Sequence, residues 1–158
     1  MTIEDPTPKR YHYAAKVLAA HDGDTVTLEL DLGLWIRRIE KLRLHGIDTP
    51  EVVGAGKAAG LKAKAALIRL LAGLVPTPVA DAAAPLPSEI GGDLRDLDIE
   101  CMVQTFKDAP DKFGRLLARI FVRRPAGDAP SGAEWICVND ELIALGYAKP
   151  WNGQGARP

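Results

Sequence analysis

Thr25-Val26-Thr27-Leu28-Glu29-Leu30-Asp31-Leu32 alternates without interruption between polar and apolar residues. Val26, Leu28, Leu30 and Leu32 share one face, and Thr25, Thr27, Glu29 and Asp31 share the other, which is the period-two signature of a half-buried strand. Upstream, residues 11–20 read as its partner, joined through His21-Asp22-Gly23-Asp24, a tight polar turn with glycine where a positive φ is tolerated. Downstream, Leu32-Gly33 turns the chain into a third strand over residues 35–47, with Leu42 and Leu44 as its inward set. Three consecutive antiparallel strands make a meander.

Beyond it the pattern changes period. Residues 56–74 are alanine-rich, Leu61, Ala65, Ile68 and Ala72 recur at helical spacing, and Gly73 and Pro76 punctuate the end. Residues 76–97 hold four prolines and Gly91-Gly92, and read as an irregular surface insertion. Strands follow over 99–106 and 115–122, separated by a charged turn ending Asp111-Lys112-Phe113-Gly114. Trp135 to Val138 reads as a short strand segment; Asn139 then reads as a helix cap, with Asp140 and Glu141 in the first turn and Gly146 past the end. The order is three strands, helix, two strands, helix. It predicts a mainly β member of the α+β class, a five-stranded OB-fold barrel with at least two helices packed on it. One domain is expected over residues 1–158, with the insertion at 76–97 and a short tail at 150–158.

Composition narrows the function classes. No run approaches the roughly 18 to 20 apolar residues of a membrane span. The opening MTIEDPTPKR is polar where a secretory signal needs an apolar run, so a cytoplasmic protein with no membrane partner is expected. Cys101 and Cys137 sit in apolar runs and read as free buried thiols, without zinc-site spacing. The net charge of -1 speaks weakly against a nucleic-acid partner. Its distribution softens this: residues 76–98 hold five acids and one base, leaving 19 bases and 16 acids elsewhere, a remainder of +3.

Two stretches carry chemistry that a fold alone does not require. Asp22-Gly23-Asp24-Thr25 is not an EF-hand loop, whose sixth and twelfth positions would here be Thr27 and Gly33. Arg43-Leu44-His45-Gly46-Ile47-Asp48-Thr49-Pro50-Glu51 packs a guanidinium and two carboxylates into a strand end. By strand parity Asp24 is in phase with Val26 and Leu28, and Asp48 with Leu42 and Leu44, so both carboxylates can converge at one mouth of the barrel. Two aspartates, a backbone carbonyl and waters make an oxygen-only site suited to a hard cation such as calcium. Arg43 is out of phase with Asp48, so a bend, most simply at Gly46, is required to bring them together. Arg115 opens a strand and alone proves nothing. His12, His21 and His45 lack metal-site spacing and read as structural.

DGDT, RLHGIDTPE and DKFGR, in that order with a helix after the second, resemble the staphylococcal nuclease (thermonuclease) family, and VNDELIALGYAK is similar to its downstream helix. The resemblance covers residues 13–149, interrupted at 76–97. It implies Asp24, Asp48 and the Thr49 carbonyl as ligands of one Ca2+, Glu51 as general base, and Arg43 with Arg115 as the phosphate-binding pair. Lys112 and Phe113 fall at substrate-contacting positions, with Phe113 where the family has a tyrosine. Asn152 and Gln154 stand near other tyrosine positions of the family, Trp151 is a candidate stacking surface, and the family's long C-terminal helix has no counterpart before Pro158. The implied activity is calcium-dependent hydrolysis of DNA or RNA by a monomeric endonuclease, with the cation and arginines meeting the charge of the transition state while Glu51 deprotonates water. The alternatives are a silent OB-fold module that binds nucleic acid or protein, and an interaction adaptor acting through the acidic insertion.

Overall fold

A computed structural model describes residues 11–83, 91–106, 114–125 and 133–152. Strands β1 (His12–Ala20), β2 (Thr25–Asp31) and β3 (Arg37–Leu44) form the meander, with Ala15 paired to Leu30 and Thr25 to Arg43. The two-residue strand β4 (Ile47–Asp48) follows, then helix α1 (Lys57–Leu71), β5 (Glu100–Thr105), β6 (Leu116–Pro125), β7 (Ala133–Cys137), helix α2 (Val138–Ala144) and a second short strand, β8 (Lys149–Pro150). β5 returns antiparallel to β1, β6 pairs β5, and β6 then runs parallel to β3 through Leu42↔Leu116, Arg43↔Leu117 and Leu44↔Ala118. That last seam closes a five-stranded barrel with OB-fold connectivity. β7 pairs the later part of β6, across from β5, and β8 pairs β4.

The barrel core contains the alternate set the period-two reading expects, Val26, Leu28 and Leu30 of β2 and Leu42 and Leu44 of β3, joined by Val17 of β1 and by Val103, Ala118, Ile120 and Val122 from the later strands. Leu32 departs from the pattern and is exposed, because β2 ends at Asp31 and the chain projects past the barrel into the hairpin turn. Helix α1 forms in the alanine-rich stretch and ends before Gly73, whose φ of +78° accommodates the reversal. Its buried side is Gly60, Ala63, Ala66, Leu67, Leu70 and Leu71, one step around from the Leu61–Ala65–Ile68–Ala72 stripe, since leucine pairs at 70–71 fill the barrel end better than the smaller set.

The reading of 76–97 as a surface insertion needs correction at both described ends. The Val79 N–H donates to the Leu145 carbonyl at 2.9 Å, and the Tyr147 hydroxyl donates to the Thr77 carbonyl. Further along, Leu94 is buried and its N–H donates to Leu18 O at 2.9 Å, while Ala20 donates to Gly92 O at 2.9 Å. Asn139 also differs from its expected role. The helix begins two residues earlier, with Cys137 at the cap, and Asn139 is buried: its amide donates to the carbonyls of His45 (2.9 Å) and Ala118 (3.0 Å), and its oxygen accepts from Ile120 N–H (3.1 Å). A buried amide that finds three backbone partners ties α2 to both sides of the closing seam. Both cysteines are free; Cys101 is buried, and burial pushes its thiol up to about 12. No helix among the described residues is long and apolar enough to cross a membrane.

Candidate functional site

The turn between β1 and β2 and the segment after β3 meet at one mouth of the barrel because α1 offers them a surface of small residues. A Cβ on Gly60 would lie 2.0 Å from the Glu51 carbonyl oxygen, and one on Gly23 would lie 2.7 Å from the Ala63 Cβ and 2.9 Å from the Thr49 hydroxyl. Glycine at both positions lets backbone seat directly against helix and loop, as close approach requires. Gly46, with φ +80°, supplies the bend between β3 and β4.

That bend brings Arg43 into register with Asp48. The guanidinium donates from Nη1 to Asp24 Oδ1 at 2.7 Å and from Nη2 to Asp48 Oδ1 at 3.0 Å and Ile47 O at 3.1 Å. Asp24, Asp48 and Arg43 are 2%, 6% and 7% exposed, so this is a desolvated triad with one positive centre between two carboxylates. The remaining Asp24 oxygen, Oδ2, accepts the Thr49 N–H at 3.1 Å. Thr25 links the second arginine: its hydroxyl donates to Asp24 Oδ1 at 3.1 Å and accepts from Arg115 Nη1 at 3.2 Å. Pairing of β4 with β8 carries Trp151 alongside, with its N–H on Gly46 O at 3.0 Å and its ring 5.4 Å from the Arg43 guanidinium carbon.

Charge at the mouth is divided unequally. Burial pushes the Asp24 carboxyl up, but Arg43, Asp22 and the Thr49 N–H outweigh it and hold Asp24 below its usual value. Asp22, whose Oδ1 accepts the Asp24 N–H at 3.0 Å, is pushed up to about 6 by burial and by the Asp24 charge. Glu51 is exposed on the rim of a cleft of about 370 Å³ bounded by Asp48, Thr49, Pro50, Tyr147 and Lys149.

The structure thus gathers Asp24, Arg43, Asp48, Thr49 and Arg115 into one connected cluster with Glu51 at its edge. Lys112 and Phe113 lie outside the described residues. Thr25, assigned by alternation to the solvent face, is 1% exposed, because the barrel mouth and Arg115 cover the start of β2. Asp22 was legible only as the neighbour of Asp24 in the turn. One oxygen of each carboxylate converges on a single positive group, the Arg43 guanidinium. Among the described residues no three His, Cys, Asp or Glu side chains gather to hold a metal ion.

No protein-family model matches this chain. It is similar to an uncharacterized protein of Methanocaldococcus jannaschii, 32% identical over 146 residues that cover 87% of this chain and 59% of that protein. The chain therefore spans less than two thirds of the length of that relative, and the similarity assigns neither of them an activity.

Proposed function

We propose that this chain hydrolyses phosphodiester bonds of DNA or RNA, in the manner of the staphylococcal nuclease family whose motifs it resembles. The observation that carries the reading is the desolvated Asp24–Arg43–Asp48 triad, with Arg115 one hydroxyl away and Glu51 on the adjoining cleft. A fold needs no buried arginine between two buried aspartates. Arginine's planar donor fork matches phosphate oxygens, and the site holds two arginines in fixed positions, Arg43 by the two carboxylates and the Ile47 carbonyl and Arg115 by the Thr25 hydroxyl. Glu51, exposed beside the cleft, would take the proton from the attacking water. Asp24, Asp48 and the Thr49 carbonyl would hold Ca2+, which when bound adds positive charge at the phosphate. Trp151, beside Arg43, offers an aromatic face at the same mouth.

Digestion of plasmid and of RNA in calcium, in magnesium and in chelator tests the reading. Cleavage with calcium, weaker cleavage with magnesium and none in chelator are expected, because magnesium demands tighter octahedral geometry and sheds water reluctantly. Full activity in chelator overturns the metal mechanism.

One feature favours the silent-module reading: Arg43 already engages an oxygen of each carboxylate, so both have a cationic partner without a metal ion. Glu51→Gln separates the two. A positioned base contributes about 10² to 10⁴ in rate, so an enzyme loses cleavage by that factor while oligonucleotide affinity changes less than about tenfold. If the parent binds oligonucleotide without cleaving and Glu51→Gln behaves identically, the chain is a binding module.

A further inference from the structure

At the opposite end of β2 and β3 from the triad, the hairpin carries Leu32, Leu34, Trp35, Ile36 and Ile39, all exposed, with Leu34 at 89% and Trp35 at 98%. The turn itself is costly. Ile36 N–H donates to Gly33 O and Leu32 N–H to Ile36 O, both at 2.9 Å, which makes Leu34 and Trp35 the two central residues of a tight hairpin turn. Their φ values are +53° and +60°, a left-handed pair that ordinarily calls for Asn-Gly, so two large side chains are held outward in a conformation they disfavour.

Five such side chains expose on the order of 700 Å², above the roughly 300 to 600 Å² of the largest apolar patch on an ordinary monomer and near the roughly 800 Å² each partner contributes to a standard interface. The rim identifies the occupant. Arg37, Arg38 and Lys41 are matched by Glu29, Asp31 and Glu40, for a net charge of zero. Within the rim, Arg37 lies 3.3 Å from Glu29 and 4.0 Å from Asp31, and Arg38 pairs with Glu40. Nucleic acid or an anionic bilayer favours a net positive rim, whereas a surface that meets its own copy is repelled by any net charge it carries. We propose that two copies of this chain pair through their β2–β3 hairpin ends, around a two-fold axis that buries Leu34 and Trp35 and lets rim charges of one copy face opposite charges of the other. Because Thr25 and Asp31 are at opposite ends of β2, about 20 Å apart at strand rise, such pairing leaves the Asp24 mouth uncovered. The proposal does not rest on the nuclease reading.

Sedimentation velocity of the full chain between about 1 and 100 μM tests it, beside a double variant, Leu34→Asn with Trp35→Gly, and the charge variant Arg38→Glu. The double variant suits the turn and should fold at least as well as the parent. The parent should shift from one to two chains per particle over this range, and the double variant should stay monomeric, its pairing weakened more than tenfold. Arg38→Glu makes the rim net negative, so its pairing should be weaker at low salt and recover as salt rises. A parent monomeric throughout, or a double variant that pairs like the parent, overturns the proposal. So does a monomeric parent that floats with phosphatidylcholine or phosphatidylglycerol vesicles through Trp35, since lipid would then be the occupant.

Discussion

Asp22 and Asp24, two residues apart, are displaced in opposite directions from the ordinary carboxyl value, and the signs make a testable pH profile. With Asp22 raised from 3.8 to about 6, the folded state holds a proton the unfolded chain has lost, so its contribution to stability falls as pH rises through that window. Asp24, held low, contributes stability above 3.8 that is lost as pH drops through its folded value. Asp22→Asn keeps an oxygen for the Asp24 N–H and removes the charge. It should stabilise the protein at pH 7 to 8 by up to about 3 kcal/mol and leave stability at pH 4 nearly unchanged, as denaturant melts across pH would register. The arginines should separate in the same way. Arg43→Lys cannot span Asp24 and Asp48 with a planar fork, so both stability and turnover should fall, turnover by more than about tenfold. Arg115→Lys, at a position whose guanidinium reaches Asp24 through the Thr25 hydroxyl, should lower turnover with a smaller change in melting temperature; parent-like cleavage would remove it from the site. Strand parity made Asp24 and Asp48 legible, and the one discordant phase, at Arg43, correctly required a bend at Gly46. The burial of Thr25 was not legible, because alternation describes a sheet face and says nothing of what closes over its end.

Elements were legible in order and less so in what they touch. The alanine-rich helix formed as its spacing indicated, but its buried face follows the seats required by Gly23 and by Glu51, contacts made across the fold. Gly60→Ala would drive a methyl into the Glu51 carbonyl oxygen, only 2.0 Å from its Cβ, so the loop must move. A loss of roughly 1 to 3 kcal/mol is expected in thermal or denaturant unfolding. The proline-rich stretch misled in a different way. Its composition reads as loop, yet Leu94 is buried against the barrel and the Tyr147 hydroxyl fastens Thr77. A single buried leucine in a polar run leaves no periodicity to detect. Leu94→Ala should therefore cost about 2 to 5 kcal/mol, measured by chemical denaturation, where a surface loop would show almost nothing. Removal of residues 76–97 should destabilise the barrel for the same reason.

For the molecule as a whole, the five-strand order was readable because each strand announces its own period, whereas the pairing that shuts the barrel is a relation between distant segments. Three residue pairs between β3 and β6 make that seam, and Asn139 clamps it from α2. Its partners stand about 74 residues apart along the chain, so during synthesis the finished meander waits with its β3 edge unpaired while α1, β5 and β6 are made, and with its β1 edge unpaired until β5 arrives. At the usual 5 to 20 residues per second that interval lasts roughly 4 to 15 s. Through those seconds the nascent chain presents strand edges, and the open inner faces of Val26, Leu28 and Leu42, to whatever binds unpaired strands, so the vulnerable moment in its life comes before β6 leaves the ribosome.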